Sequence, residues 1–333
     1  MINFFKKILF VFLTVLIAAF LFFIFAWISP LNKKNQDIKF GANFSQYYAE
    51  SLGLDWQETY LAMVDELGIK FLRLESEWNG IESQKGSYFF KDLDWQIAEA
   101  EKRNVEVMLV LGERQPHWPE CHTPAWARKE VKEDRQKAIL GYIREVVTRY
   151  KKSPAIKVWQ VENEPLFDIF GECPPGDREF LKEEIALVKS LDTRPVLITD
   201  SGEISSWVRT AHLGDYLGIS IYRVVYNPYF GYFYHFFAPF TYRLKANLLG
   251  LSKNEVIISE LQAEPWKRMD SNSPEEIIKQ KELMGPERVK NHIDFARRTG
   301  FSKAYVWGVE WWYWLYKQGD NSIWEIGREL WQR

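Results

Sequence analysis

The chain begins with a long apolar segment and continues with short apolar runs that alternate with amphipathic segments. Ile8–Ile28 is apolar almost throughout, and Thr14 is its only mildly polar member. A helix of about 21 residues at a 1.5 Å rise would span the ~30 Å hydrocarbon core of a bilayer. We therefore predict a cytoplasmic N-terminus over 1–7, a transmembrane anchor over 8–28 and a linker over 29–36. A cleaved signal peptide is the alternative, although Phe25–Pro30 lacks a small-x-small cleavage site.

The remainder of the chain, 37–333, is predicted to form one domain of alternating strands and helices. The predicted strands are Ile38–Asn43, Lys70–Leu74, Val105–Leu111, Ala155–Val161, Pro195–Thr199, Tyr216–Ile221, Glu255–Ser259 and Ala304–Trp307. The predicted helices are Asp55–Leu67, Leu93–Arg103, Lys132–Tyr150, Arg178–Leu191, Ser205–Leu213, Pro274–Thr299 (one helix or a pair) and Ser322–Gln332. Near-continuous apolar strands are typical of parallel strands buried on both faces. The pattern predicts an α/β fold, a (β/α)8 TIM barrel. A doubly wound open sheet is the alternative, but no Gly-x-Gly-x-x-Gly follows the first strand.

The segment 222–251, between the sixth and seventh predicted strands, is long for a connection in such a barrel. It is also crowded with tyrosine and phenylalanine, from Tyr226 to Tyr242. One interpretation is an aromatic loop packed on its own barrel. The other is a flap that forms a sugar subsite or dips into the headgroup region of a membrane.

Composition excludes several function classes. The formal net charge is −2 and the basic residues are scattered, so we expect no nucleic-acid partner. The five histidines have no metal-ligand spacing. No Gly-x-Ser-x-Gly elbow or phosphate-binding loop occurs, so we predict no metal and no cofactor. Aromatic residues make up 16% of the chain, with 15 tryptophans, and exposed indole faces suit the C–H-rich faces of sugars.

Cys121 and Cys173 are the only cysteines of the chain. They are either two buried free thiols or a disulfide. Both lie in predicted loops that follow neighbouring strands, and outside the cell a bridge between such loops is plausible. We predict that the bridge forms.

Two glutamates are the candidates for catalysis. Glu164 lies in Asn163-Glu164-Pro165 after the fourth predicted strand, and Glu260 lies in Ile258-Ser259-Glu260 after the seventh. A carboxylate at the end of a buried strand is costly to bury and is found there mostly when it faces a cleft. Two carboxylates at one barrel mouth suit the cleavage of a glycosidic bond, which needs an acid and a second carboxylate.

These two motifs resemble those of glycoside hydrolase clan A, a superfamily of retaining (β/α)8-barrel enzymes, over Ile38–Arg333. Within the clan, cellulase-like family 5 and its relatives are the nearest in pattern. The resemblance implies that Glu164 is the acid/base and Glu260 the nucleophile. It also implies four substrate-site roles: Arg73 supports the nucleophile, Asn163 binds the sugar 2-hydroxyl, Tyr222 touches the nucleophile, and Trp307 lies beneath the sugar.

Other residues compete for these roles. Simple strand alternation would direct Glu162 to the same side as Glu164, and only the clan resemblance favours Glu164. Further glutamates that follow predicted strands are candidate hydrogen-bonding groups for sugar, namely Glu75, Glu77, Glu203, Glu264 and Glu310. The loop after the third strand carries His117 and Trp118, either as a sugar-binding loop or as a rigid loop with packed rings.

We therefore predict a membrane-anchored glycoside hydrolase whose catalytic domain is extracytoplasmic and whose substrate is a β-linked oligo- or polysaccharide. One alternative is a non-catalytic glycan-binding protein of the cell envelope on the same barrel. Another is a transglycosylase that remodels envelope glycan with the same residues. The sequence does not indicate an oligomeric state.

Overall fold

The computed structural model describes residues 2–28, 34–35, 37–229, 231–266 and 274–332. Eight parallel strands close into a barrel and confirm the predicted fold. They are β1 (Lys39–Phe44), β2 (Phe71–Glu75), β3 (Glu106–Leu111), β4 (Ile156–Val161), β5 (Val196–Ser201), β6 (Tyr216–Ile221), β9 (Val256–Gln262) and β10 (Lys303–Trp307). Around the barrel the order is β1-β10-β9-β6-β5-β4-β3-β2, so each barrel strand pairs with its neighbours along the chain and β1 pairs with β10.

Helices surround this barrel. They are α1 (Ile2–Ile28), α2 (Gln46–Ser51), α3 (Trp56–Leu61), α4 (Trp78–Ile81), α5 (Lys91–Lys102), α6 (Lys132–Tyr150), α7 (Arg178–Leu191), α8 (Pro239–Leu248), α9 (Pro274–Leu283), α10 (Pro286–Thr299), α11 (Val309–Lys317) and α12 (Ser322–Trp331). α6 and α7 have the predicted bounds, and Pro274–Thr299 is a pair of helices. α3 continues through a π-helical turn, Ala62–Glu66.

The helix predicted at Ser205–Leu213 is wrong, because this stretch consists of turns. Trp207 explains the difference. Its side chain is fully buried and its Nε1 donates to the carbonyl of Ser201 at 2.8 Å. Its backbone has a φ of 64°, which interrupts a right-handed helix.

The barrel interior is filled with side chains. Near the N-terminal ends of the strands, Met108, Val158, Leu197, Ile257 and Tyr305 form a separate buried apolar cluster. The larger apolar core lies between the strands and the surrounding helices. Polar side chains occupy the barrel toward the C-terminal ends of the strands, where the candidate site lies.

The predicted transmembrane anchor is not confirmed. Residues 2–28 form the single helix α1, and the ring of its Phe25 lies 6.2 Å from that of Phe240 on α8. Among the described residues, no helix is both long enough and apolar enough to cross a membrane. The predicted linker, 29–36, lies mostly outside the described residues.

The aromatic segment 222–251 forms an antiparallel hairpin and a helix. The hairpin pairs β7 (Val224–Asn227) with β8 (Gly231–Tyr234), and α8 follows it. Its two ends differ in environment. Tyr242 on α8 is buried, whereas Tyr229 at the hairpin turn is 88% exposed and Phe236 is 63% exposed. The packed-loop interpretation therefore fits the base of the segment, and the flap interpretation stays a prediction for its exposed part.

Candidate active site

A bulge in β9 turns Glu260 into the barrel. The prediction that a loop begins at Glu260 is wrong, because β9 continues to Gln262. The register with both neighbouring strands shifts after Ile258, which adds one residue to β9. Ile257 packs inside the barrel, whereas Ile258 and Leu261 both belong to the outer core. A β-bulge of this kind re-aims a side chain, and here it directs Glu260 inward.

The carboxylate of Glu260 has a donor on each oxygen. Arg73 Nη1 donates to Oε1 at 2.7 Å, and the hydroxyl of Tyr222 donates to Oε2 at 2.9 Å. Burial raises the pKa of Tyr222 well above its ordinary value, and the charge of Glu260 raises it further. The phenol therefore stays protonated and remains a donor at every physiological pH.

The guanidinium of Arg73 is fully buried and anchors four residues. Besides Glu260, it donates to Gln160 Oε1 at 2.7 Å, Asn43 Oδ1 at 2.9 Å and Asn163 Oδ1 at 2.8 Å. The Asn43 amide in turn donates to the carbonyl of Ser259 at 3.1 Å, within the bulge. A buried charge needs compensation and hydrogen bonds of this kind. The network therefore fixes both the bulge and the Glu260 side chain.

Glu164 lies in a different environment. Its backbone N–H donates to Thr199 Oγ1 at 2.7 Å, and its Oε1 accepts from Ser220 Oγ at 2.5 Å. Burial first, and then the negative charge of Glu260, raise the pKa of Glu164 to about 8. Glu164 therefore keeps its proton at neutral pH.

Glu162 points away from Glu164, so the alternation argument is wrong. β4 ends at Val161, and Glu162 and Glu164 have φ values of 59° and 43°. The carboxylate of Glu162 accepts from the backbone N–H groups of Glu113 and Arg114, at 2.8 and 2.5 Å. Glycine is required at position 112, because a Cβ there would lie 2.2 Å from Glu162 Oε1. Glu162 therefore anchors the loop after β3.

A third carboxylate, Glu120, approaches the pair and was not predicted. Its Oε2 accepts from Asn163 Nδ2 at 3.1 Å. Burial raises its pKa well above the ordinary value, the charges of Glu260 and Glu164 raise it further, and Arg114 opposes them. One indirect signal for this residue was present, because Glu120 directly precedes Cys121 of the predicted bridge.

The disulfide between Cys121 and Cys173 confirms that prediction, with a Cα–Cα distance of 5.3 Å. It joins the loop after β3 to the loop after β4. The backbone N–H of Glu172 also donates to the carbonyl of Pro119 at 3.0 Å. These contacts hold Glu120 against the strand-four loop that carries Asn163.

Aromatic rings cover another part of the site. The rings of His117 and Trp307 stack at 4.1 Å, and His117 Nδ1 lies 2.9 Å from Glu75 Oε1. Trp307 Nε1 donates to Glu264 Oε1 at 3.0 Å. The structure therefore brings His117, Trp307, Glu75 and Glu264 together. The indole of Trp118 is 36% exposed at the rim.

The remaining candidate glutamates have structural partners. Glu310 Oε1 accepts from the backbone N–H of Ser45 at 2.7 Å. Glu203 Oε1 accepts from the Tyr242 hydroxyl at 2.7 Å and from the backbone N–H of Tyr222 at 3.1 Å. Glu77 lies 3.8 Å from His122 Nδ1. No group of His, Cys, Asp or Glu suited to a metal ion occurs in the part of the chain that the structure describes.

Comparison with known families gives one match over part of the chain. The model for glycoside hydrolase family 42, described as beta-galactosidase, matches residues 46–207. That range includes Arg73, Asn163 and Glu164 and ends before Tyr222 and Glu260. No curated protein matches the sequence.

Solved structures share the barrel at low sequence identity. A family 5, subfamily 18 glycoside hydrolase from Bifidobacterium longum subsp. longum has a TM-score of 0.60 and 13% identity, over 82% of this chain and 70% of that one. One from Streptomyces cattleya, in complex with GlcNAc, has a TM-score of 0.59 and 12% identity, with the same coverage. A family 10 endo-beta-1,4-xylanase from Gloeophyllum trabeum has a TM-score of 0.55 and 17% identity, over 84% and 86%. The folds and the family model together confirm the resemblance to clan A and support a glycoside hydrolase.

Proposed function

We propose that this glycoside hydrolase cleaves a β-linked glycan with retention of configuration, with Glu260 as the nucleophile and Glu164 as the acid/base. The observation that carries the proposal is the contrast between the two carboxylates. Glu260 is compensated by Arg73 at 2.7 Å, whereas Glu164 has a pKa raised to about 8, first by burial. Two titratable groups whose environments differ in this way suit opposite acid and base roles.

The partners of Glu260 favour a nucleophile over a general base. A guanidinium and a phenol hold its two oxygens and compensate its charge. A carboxylate fixed in this way is oriented to attack the anomeric carbon, and it is the leaving group when water cleaves the resulting ester.

The proposed catalytic cycle follows from the different environments of Glu260 and Glu164. Glu260 attacks the anomeric carbon as the glycosidic C–O bond breaks, and the Glu164 proton passes to the leaving oxygen. Esterification removes the charge of Glu260, which is the second-largest cause that raises the pKa of Glu164. Glu164 is then a stronger acid, and its carboxylate can take a proton from water. The water oxygen attacks the anomeric carbon, and the ester bond breaks.

The aromatic rings support a saccharide with more than one unit. Successive rings lie close together, with centroid distances of 5.7 Å for Trp118 and Phe170, 5.4 Å for Phe170 and Trp266, and 5.3 Å for Trp266 and Tyr222. This wall leads from the exposed rim to the phenol beside Glu260. Aromatic walls with few polar groups are typical of such sites. We propose that Trp307 and His117 lie beneath the sugar whose bond is cleaved.

We infer an extracytoplasmic location for the catalytic domain from the disulfide. Cys121–Cys173 is a bridge between two loops of the site, and such bridges persist mainly in oxidising compartments. The bond also joins the loop that carries Glu120 to the loop after β4.

The test is an activity screen with matched variants. Aryl β-glycosides and β-linked oligosaccharides are the panel, and it includes GlcNAc-containing disaccharides because a structure from the Bifidobacterium longum relative holds Manβ1-4GlcNAc. We expect at least one substrate to be cleaved, with NMR detecting the β-anomer as the first product. Glu260→Ala should be inactive, and Glu179→Ala, at an exposed position on α7, should match the wild type. First release of the α-anomer would rule out retention.

A further inference from the structure

A cavity of about 400 Å³ lies between the hairpin segment and α10. Its charged and titratable lining residues are Arg223, Tyr234, His235, Arg288, His292, Asp294 and Arg298. It shares no residue with the candidate active site. Arg223 directly follows Tyr222, and its guanidinium lies 4.3 Å from the ring centroid of Phe295 on α10. The cavity therefore lies beside α10, next to the residue that follows Tyr222.

The charges of this cavity are unbalanced. Asp294, the one acid among its lining residues in the described part of the chain, is already engaged by Lys34 at 2.5 Å and by Arg297 at 3.4 Å. Arg223, Arg288 and Arg298 form no ion pair with any carboxylate among the residues that the structure describes. Three guanidiniums without such partners at one cavity make it a site for an anion.

Aromatic rings hold two of the guanidiniums in place. Arg223 lies over Phe295, and its Nη1 donates to the carbonyl of Phe237 at 2.9 Å. Arg288 lies 4.7 Å from the ring centroid of Tyr234 and donates to its hydroxyl at 2.5 Å. A guanidinium that stacks on an aromatic ring still has N–H groups in its own plane that can donate to an anion. Two of these N–H groups match the spacing of two phosphate oxygens.

The two histidines of the cavity are held in their neutral form, in part by the positive charges of the arginines. His292 Nδ1 lies 2.6 Å from the carbonyl of Gln262, so Nδ1 carries the proton and Nε2 is an acceptor. Burial first, and then the charges of Arg223 and Arg288, lower the pKa of His292 to about 4, against the opposing hydrogen bond to Gln262. Burial and then Arg223 also lower the pKa of His235. Neutral histidines supply polar contacts for an uncharged part of a ligand.

We propose that this cavity binds an organic phosphate, with Arg223 and Arg288 as its principal ligands. Its volume, about 400 Å³, exceeds the need of a bare ion and falls within the ~300–1,000 Å³ typical of small-molecule sites. Arg298 is ten residues beyond Arg288 on α10, roughly 15 Å at the helical rise, so the ligand has a body beyond one phosphate.

The phosphate can belong to a soluble ester or to a lipid headgroup. Pro239, at the start of α8, lines the cavity, and the next residue, Phe240, contacts Phe25 of α1. α1 carries exposed apolar side chains, including Phe10 at 71%. The soluble ester and the lipid headgroup have in common a phosphate ester of a small polyol. The experiment distinguishes between these two ligands.

Titration calorimetry of the full chain with glycerol 3-phosphate, and with glycerol as the uncharged control, tests the soluble source. Arg223→Gln and Arg288→Gln should each weaken binding roughly tenfold or more, the loss expected for a charge-assisted hydrogen bond. Arg144→Gln, at an exposed position on α6, should bind like the wild type. If Arg223→Gln fails to fold, Arg298→Gln replaces it in the binding measurement, because Arg298 is exposed and its substitution should not disturb folding.

Sedimentation with vesicles tests the lipid source, comparing phosphatidylglycerol in phosphatidylcholine with phosphatidylcholine alone. Arginine-dependent binding of glycerol 3-phosphate supports a soluble ester, and arginine-dependent binding of the anionic vesicles alone supports a lipid. The proposal is overturned if neither probe binds, or if the cavity variants bind as tightly as Arg144→Gln. Glycosidase activity is measured separately, because the cavity contains none of the proposed catalytic residues.

Discussion

The hydroxyl of Tyr222 donates to Oε2 of Glu260 at 2.9 Å. Arg73 donates to the other oxygen, so both oxygens of this carboxylate are fixed. The two donors come from different strands, since Arg73 lies within β2 and Tyr222 follows β6. The orientation of Glu260 is therefore set before a substrate binds, as a nucleophile requires.

Removal of that phenol should slow catalysis without unfolding the barrel. We expect Tyr222→Phe to lower kcat by roughly 10- to 100-fold, the range for a hydrogen bond to a charged group, with a smaller change in KM. Tyr226→Phe, in the adjacent hairpin, is the matched control. Steady-state kinetics on the substrate found in the screen checks this, and equal rates for the two variants would remove Tyr222 from the mechanism.

Glu164 should make stability depend on pH. Its pKa is about 8 in the folded protein against an ordinary value of 4.5. Between these values the folded state holds a proton that the unfolded chain has released, so the free energy of unfolding falls as pH rises. Glu164→Gln removes this effect. Its melting temperature should exceed that of the wild type by an amount that grows from pH 5 to pH 8, as calorimetry can measure.

Glu179→Gln, at an exposed position, provides the control for this series, since it should show no such growth. A constant difference between Glu164→Gln and the wild type across the pH range would mean that Glu164 is ionised at neutral pH. It would then be unsuited to the acid role.

Glu120 should act through Asn163. Its Oε2 accepts from Asn163 Nδ2 at 3.1 Å, and the raised pKa favours its neutral form. Glu120→Gln keeps an acceptor oxygen and should retain most of kcat. Glu120→Ala leaves the amide without this partner and should lower kcat roughly tenfold. Equal losses in the two variants would indicate that its charge matters more than its hydrogen bond.

The disulfide should stabilise both the fold and the site. It closes a segment with a sequence separation of 52, for which loop-closure entropy gives about 4 kcal/mol of stability. We expect Cys121→Ser with Cys173→Ser to lower the free energy of unfolding by that order and to reduce activity. Denaturant unfolding measures the first effect. Unchanged activity in the double variant would show that the bridge does not position Glu120.

The barrel was predictable because its strands are apolar on both faces and alternate with amphipathic helices. The sequence also indicated Glu164 and Glu260 as catalytic candidates, and these roles stay predictions, but alternation could not give the directions of the two side chains. Glu260 faces inward because of a bulge at Ser259, and the turn after β4 has positive φ at Glu162 and Glu164. Such departures depend on partners from distant strands, such as Asn43 on β1.

Glu120 and the basic cavity were missed for a similar reason. Glu120 lies outside any strand, and only the fold brings it to Asn163. The three arginines of the cavity are scattered over 223–298, and their convergence depends on how the hairpin segment packs on α10. The predicted helix at Ser205–Leu213 failed because Trp207, with a buried indole, has a left-handed backbone that interrupts a right-handed helix.

Azide rescue tests the central assignment of Glu260 and Glu164 most directly. With an activated aryl β-glycoside, Glu260→Ala should be inactive, and azide should restore turnover and give the glycosyl azide of inverted configuration, because azide attacks from the vacated face. Glu164→Ala should still form the Glu260 ester, and azide should then give the retained product. NMR of the products determines the anomeric configuration of the glycosyl azide from each variant. Retained azide from Glu260→Ala, or an acid/base phenotype in Glu162→Ala but not Glu164→Ala, would contradict the account.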